Sequence, residues 1–253
     1  MAVIGIMSAM HEELSAVLAE MPDEQSVQVA GRDFWVGHWQ GHSVVAVLSR
    51  IGKVAAATTA TVLLERFEVD TLVFTGVAGG LGCGVRVGDV VVADGFVQHD
   101  MDASPLFPRH EVPLYDQARF DADQGLLAQL RAASEQVLSN TALHLGAGTL
   151  DEFQLTAPRV HQGLVISGDR FVSTSTESHA LRQALPEALA VEMEGAAVAQ
   201  VCHDYGVPFA AVRTISDRAD DEAHADFQRF IRDVASRYSL AIVSQWLATR
   251  PPD

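Results

Sequence analysis

A chain of 253 residues lies near the upper size for one hydrophobic core, and its 48% hydrophobic and 20% charged residues exclude a disordered polymer. Seventeen basic against 33 acidic residues give a formal charge of −16 with no Lys/Arg stripe, which argues against nucleic acid and anionic membrane as partners. Cys83 and Cys202 stand apart without metal-ligand spacing, which argues against a disulfide framework or zinc site and fits a reducing cytoplasm.

The start, Ala2-Val3-Ile4-Gly5-Ile6, lacks a basic leader and reads as a core strand over 3–7, with a helix over 12–20. Runs at 34–39 and 43–49 flank Gln40-Gly41-His42 and suit a hairpin, so the sheet is expected to be mixed. Helical spacing over 53–66 leads into a short β-branched strand over 71–75, and the Gly88-Asp89 turn precedes a strand over 90–97. Pro105, Pro108 and Pro113 preclude regular structure over 100–115, where Leu106, Phe107 and Leu114 remain apolar; such a loop lids a site or an interface.

An acidic first turn opens a helix over 121–138, and the pattern over 139–159 is weak. Buried strands are expected over 164–167, 189–193 and 209–215, a helix over 194–205 stopped by Gly206 and Pro208, and an amphipathic helix over 222–247. No apolar run is long enough to span a bilayer. Strands alternating with helices, without linker or repeat, predict one α/β domain over 1–253.

Sites in α/β sheets gather beyond the carboxyl ends of strands. There stand Met10-His11-Glu12-Glu13, Gly76-Val77-Ala78-Gly79-Gly80, Ser167-Gly168-Asp169, Glu192-Met193-Glu194 and Arg213-Thr214-Ile215-Ser216-Asp217. The glycines fail the dinucleotide fingerprint, because Gly80-Leu81-Gly82-Cys83-Gly84 runs into another strand instead of a helix. They serve either a tight turn or the close approach of a flat ligand. Glu192 and Glu194 share one face of a strand, with Met193 on the other, and burial there demands donors. Ribose hydroxyls are such donors; the alternatives are a helix N-terminus for Glu194 and an arginine for Glu192. Asp217 ends a buried strand beside Ser216, where desolvation can retain a proton for general-acid work. The same spacing allows an Asx turn or a helix cap.

The blocks GIMSAMHEEL, RIGKVAAATTATVLLE, TGVAGGL, VGDVVVADG, QHDMD, SGDRFV, AVEMEGAAVAQVC and VPFAAVRTISDRAD run in order across nearly the whole chain. On these, the sequence closely resembles the bacterial 5′-methylthioadenosine/S-adenosylhomocysteine nucleosidases, a branch of the nucleoside phosphorylase and hydrolase superfamily. The resemblance implies a three-layer αβα, nucleoside phosphorylase-like fold with a mixed central sheet. It also implies a homodimer whose partner loop, here around Leu106 and Phe107, completes each site.

The activity it implies is hydrolysis of an N-glycosidic bond to adenine and a 5-thioribose. Glu13 and Arg213 would position and activate the water, and Glu194 would hold the ribose hydroxyls beside Met193, with Glu192 adjacent. Asp217 would protonate the base, supported by Ser216. Val77, Ala78 and Gly79 would line the ribose and water side, Phe171 and Val172 would hold the base, and Met10, Ile51, Phe107 and Phe227 would surround the alkylthio tail. No metal and no cofactor are expected, and the partner is a small purine nucleoside. Val77 stands where family members commonly have Ser, and Arg50 where they have Gly. A cation beside the ribose would suit phosphate as nucleophile, so a phosphorylase is an alternative. Others are a hydrolase of another nucleoside such as futalosine, and a nucleoside sensor without turnover.

Overall fold

A computed structural model of the chain describes residues 2–219 and 227–252. In chain order the elements are β1 (Val3–Ser8), α1 (His11–Leu18), β2 (Gln25–Val29), β3 (Arg32–Trp39), β4 (His42–Leu48), α2 (Lys53–Phe67) and β5 (Thr71–Gly80). Next come β6 (Val90–Gln98), β7 (Arg119–Asp121), α3 (Gln124–Leu138), α4 (Thr141–Leu145), α5 (Ala147–Glu152), β8 (Val160–Ser167) and α6 (Ser175–Ala184). The chain continues through β9 (Ala188–Glu192), α7 (Gly195–Tyr205), β10 (Phe209–Asp217), α8 (Phe227–Phe230), a π-helical turn (Ile231–Ala235) and α9 (Ser236–Ala248).

The strands form one mixed sheet in the order β10-β6-β8-β9-β5-β1-β4-β3-β2, with β7 on β6 and a further pairing of β10 with β5. That last pairing closes β5, β10, β6, β8 and β9 into a ring, from which β1, β4, β3 and β2 extend as an open wing. β5 makes the closure possible. Its first half lies parallel to β1 and β10, and its end turns to pair antiparallel with β9 through Gly79↔Val191 and Gly80↔Ala190. The glycines expected to follow a strand therefore belong to the strand. An apolar strand over 71–75 runs on for five more residues because edges on both sides bond its backbone.

Helices cover the sheet in two layers, one holding α2 packed on α7, the other α1, α3 and α9. The main core runs through both layers, with Trp39, Phe74, Phe96 and Trp246 among its fully buried side chains. A smaller cluster joins Leu81, Ile166, Val172, Val191 and Ala219. Burial of such groups, at about 25 cal/mol per Å² of apolar surface, is what holds the strand ends in place. Of the cysteines, Cys83 is exposed between β5 and β6, and Cys202 is buried in α7, where burial pushes its thiol far up.

Several boundaries differ from expectation. The helix expected from residue 121 starts at Gln124, since Arg119–Asp121 pairs with β6 and the Asp123 side chain caps Leu126 N at 2.8 Å. The final helix is interrupted by the π-helical turn, and its expected portion over 222–226 lies outside the described residues. Gly206 does stop α7, in the left-handed conformation at φ 66°. Among the described residues, no helix is long and apolar enough to cross a membrane.

Candidate active site

The carboxyl ends of β1, β5, β9 and β10 meet around one cavity. Met10, Ile51, Val77, Ala78, Gly79, Phe171, Val172, Glu192, Met193, Glu194, Ser216, Asp217 and Phe227 all line it. Ala9, Arg170 and Val191 line it too, though the sequence reading singled out none of them. Each adjoins a residue that was singled out, so adjacency was the available signal.

Asp217 reaches the cavity through an irregularity in β10. Ile215 pairs with Ala78 and Asp217 with Gly79, so Ser216 is the extra residue of a bulge. The bulge turns Ser216 and Asp217 to the same space, and the Ser216 hydroxyl donates to Asp217 Oδ2 at 2.8 Å. Oδ1 accepts the Ala219 amide at 2.7 Å, which is the Asx turn the spacing allowed. The turn and the cavity-facing carboxyl thus coexist. Gly79 is needed here, since a Cβ on it would meet Ala219 Cβ at 2.9 Å and Asp217 Oδ1 at 3.0 Å.

β9 ends at Glu192, so strand alternation does not extend to Met193 and Glu194, and all three line the cavity. This corrects the placement of Met193 on the opposite face. Glu192 takes both of the alternatives that the sequence offered for the two glutamates, and Glu194 takes neither. It is Glu192 that accepts the first amides of α7, from Glu194 at 3.1 Å and Gly195 at 2.8 Å. Glu192 further accepts from the Ser167 hydroxyl and from Arg213 Nη2. This is the arginine pairing that the sequence allowed for Glu192, and its carboxylate lines the cavity with its lone pairs engaged in these contacts.

Glu194 makes no side-chain cap. Its Oε1 crosses the site to accept the Gly52 amide at 2.8 Å. Burial, then the neighbouring Glu192 charge, pushes its carboxyl up to about 7. Gly52 itself opens α2 at φ 93°, in the left-handed half of backbone space.

Glu13 and Arg213 stand behind the cavity wall. The Glu13 carboxylate is fully buried, accepts the Ser239 hydroxyl at 2.7 Å and the Met10 amide at 3.2 Å, and is pushed up by burial against the pull of Ser239 and Arg213. Arg213 lies over the Phe74 ring at 4.1 Å and donates to Phe74 O at 3.0 Å. Gly76 permits this, because a Cβ there would approach Arg213 Nη1 to 3.3 Å.

The mouth is aromatic: Phe171 and Phe227 meet edge to face at 6.2 Å. The loop carrying Phe171 is tied to the start of α2 by Asp169 Oδ1, which accepts the Lys53 amide at 2.7 Å. Phe107 is half-buried in the 100–115 loop and does not line its own chain's cavity. Arg50 is also elsewhere. Its exposed guanidinium donates to the Gly31 carbonyl in the β2–β3 turn, so the cation expected beside the ribose is not part of the cavity wall.

Residues 3–247 match the family described as the phosphorylase superfamily. The chain is similar to a 5′-methylthioadenosine/S-adenosylhomocysteine nucleosidase of Marinomonas sp. (strain MWYL1), at 38% identity over 243 residues, covering 96% of this chain and 97% of the relative. Among solved structures, it resembles the 5′-methylthioadenosine/S-adenosylhomocysteine nucleosidase from Neisseria meningitidis in complex with methylthio-immucillin-A. That likeness has a TM-score of 0.85 at 32% identity and covers 99% of this chain and 100% of that one. The futalosine hydrolase of Helicobacter pylori strain 26695 is similar at a TM-score of 0.82 and 30% identity, covering 98% of each chain. On this sequence identity and coverage, the chain belongs to the 5′-methylthioadenosine/S-adenosylhomocysteine nucleosidases of the phosphorylase superfamily.

Proposed function

We propose that the protein hydrolyses the N-glycosidic bond of 5′-methylthioadenosine and S-adenosylhomocysteine, releasing adenine and the 5-thioribose product. The observation that carries this reading is the convergence of Ser216-Asp217, Met193-Glu194 and the Phe171–Phe227 pair on one cavity. Adenine leaves poorly as an anion, so protonation of a ring nitrogen by Asp217, with Ser216 in support, lowers the barrier. Glu194 accepts from the ribose hydroxyls, and its negative charge favours the oxocarbenium-like sugar left as the base departs. Glu13 takes the proton of the attacking water, which Arg213 helps to orient. Met10 and Met193 give the thioether a soft apolar wall.

In this reading the enzyme is a homodimer serving methionine salvage in the cytoplasm. Ile51, Val54, Leu106 and Leu114 are exposed apolar side chains in the α2 and 100–115 regions, suited to burial against a second copy whose Phe107 would close the site. Sedimentation velocity at micromolar concentration tests the dimer, and a monomer with full activity refutes it.

The deciding assay is adenine release in phosphate-free buffer. Release from both thioether nucleosides is expected, and none from either would overturn the reading. A second reading, hydrolysis of another purine nucleoside such as futalosine, is motivated by the Helicobacter pylori relative. The two separate on kcat/KM across a substrate panel.

A further inference from the structure

The segment that carries Asp217 has a second side. Asp217 lines the cavity, whereas the next residue, Arg218, lines a separate open cleft of about 500 Å³ with Ser175, Thr176, Ser178, His179 and Arg182. All but Arg218 come from α6, where 175, 178, 179 and 182 recur at helical spacing and so share one face. The lining side chains are two guanidiniums, three hydroxyls and an imidazole, without a carboxylate.

That composition is unlike the rest of a chain with a formal charge of −16. Arg119, Arg131, Arg170, Arg213, Arg229 and Arg232 each meet a carboxylate. Among the described residues, Arg182 and Arg218 form no ion pair, as is also true of Arg86, Arg109 and Arg250; what distinguishes these two is that they line one cleft together. Arg182 is held in place by its Nε, which donates to Leu81 O at 2.9 Å and leaves the terminal nitrogens of the fork for another acceptor. Arg218 is held through its backbone, between Asp217 and the buried Ala219 whose amide caps Asp217.

We propose that this cleft binds a phosphate group, free or carried on a small ester, through Arg182 and Arg218. Two guanidiniums offer paired N–H donors that match the spacing of phosphate oxygens, and the Thr176 hydroxyl lies beside them in the same cleft, whereas the buried Ser178 hydroxyl already donates to Ser175 O at 3.2 Å. The site is distinct from the cavity, so the phosphate bound here is a ligand and not a nucleophile. The binding claim does not depend on the proposed hydrolysis.

The test is titration of the full chain with inorganic phosphate, and separately with ribose 5-phosphate, at constant ionic strength, followed by calorimetry and phosphorus NMR line width. Saturable binding is expected from at least one of the two, and which binds more tightly identifies the source. Arg182→Gln and Arg218→Gln should each weaken it about tenfold or more, the scale of one charge-assisted hydrogen bond. Arg218→Gln loses no side-chain hydrogen bond within the described residues and keeps the test clear of misfolding. Binding that chloride reproduces, or that both variants retain, would overturn the proposal.

Discussion

The Arg213 guanidinium meets the Glu192 carboxylate at 2.9 Å, with side chains 0% and 3% exposed. Desolvating both ions is costly, and Phe74 O, Ser167 and the first amides of α7 offset it by bonding the guanidinium Nη1 and the carboxylate, while Arg213 Nε is buried without a hydrogen bond. Removing one partner strands the other. Glu192→Gln should lower the unfolding free energy by about 3–5 kcal/mol in urea denaturation. A loss below about 1 kcal/mol would show that the pair does not organise this end of the sheet.

For the base-protonating role, Asp217→Asn should reduce kcat by about 10²–10⁴-fold, while the affinity for a non-hydrolysable nucleoside stays within a few-fold of the parent. Stopped-flow turnover and equilibrium binding together decide it. A variant that retains most of its kcat removes Asp217 from the chemistry.

Glu194 predicts a pH dependence of stability. Its folded-state carboxyl lies at about 7, above the ordinary 4.5, so the folded chain holds this proton more tightly than the unfolded chain. The stabilisation is complete below the ordinary value and is lost as pH rises through about 7. Glu194→Gln should therefore flatten the decline in Tm between about pH 5 and pH 8, leaving the contribution of Glu13, which is raised in the same direction. Parallel Tm profiles for the two proteins would contradict this.

Gly79→Ala probes the turn beneath the acid. The new Cβ would press on Ala219 and on Asp217 Oδ1, so a fall in kcat/KM of about tenfold or more is expected with a stability cost of about 1–3 kcal/mol. An active-site titration together with thermal melts separates the two effects. Unchanged kinetics would mean that the position of Asp217 is not set from this side.

Arg50 is tied to Gly31, and the products should show it. With phosphate present, both the parent and Arg50→Gly should yield only unphosphorylated thioribose by mass spectrometry. A phosphorylated sugar that disappears in Arg50→Gly would restore Arg50 as a nucleophile ligand.

Legibility in the sequence followed burial. β4 and the first half of β5 are apolar and short, and α2 and α7 keep helical spacing, so pattern alone located them. α6 did not announce itself, because only Ser178 is buried along it and no apolar stripe exists. β2 lies largely exposed at the sheet edge, and β7 is three residues long. The second half of β5 was hidden for a different reason: glycine weakens a strand locally, and only the pairing with β9 and β10 shows why it continues.

The site was legible as a set of residues and less so as a set of partners. Strand ends pointed to Asp217, Glu194 and Glu13, but whether Glu192 or Glu194 met the helix amides depended on where β9 stopped. One residue of strand length decided it. Arg50 failed for a related reason, since its side chain is directed by a hairpin turn nineteen positions earlier in the chain.

The two thiols also differ in a way that is useful at the bench. Cys202 is sealed in α7 with its reactive anion strongly disfavoured, while Cys83 sits exposed on the connection leaving the glycine-rich end of β5. A maleimide dye should therefore attach at one position on the unaltered polypeptide, next to the strand that closes the ring, and provide an optical reporter without engineering a cysteine.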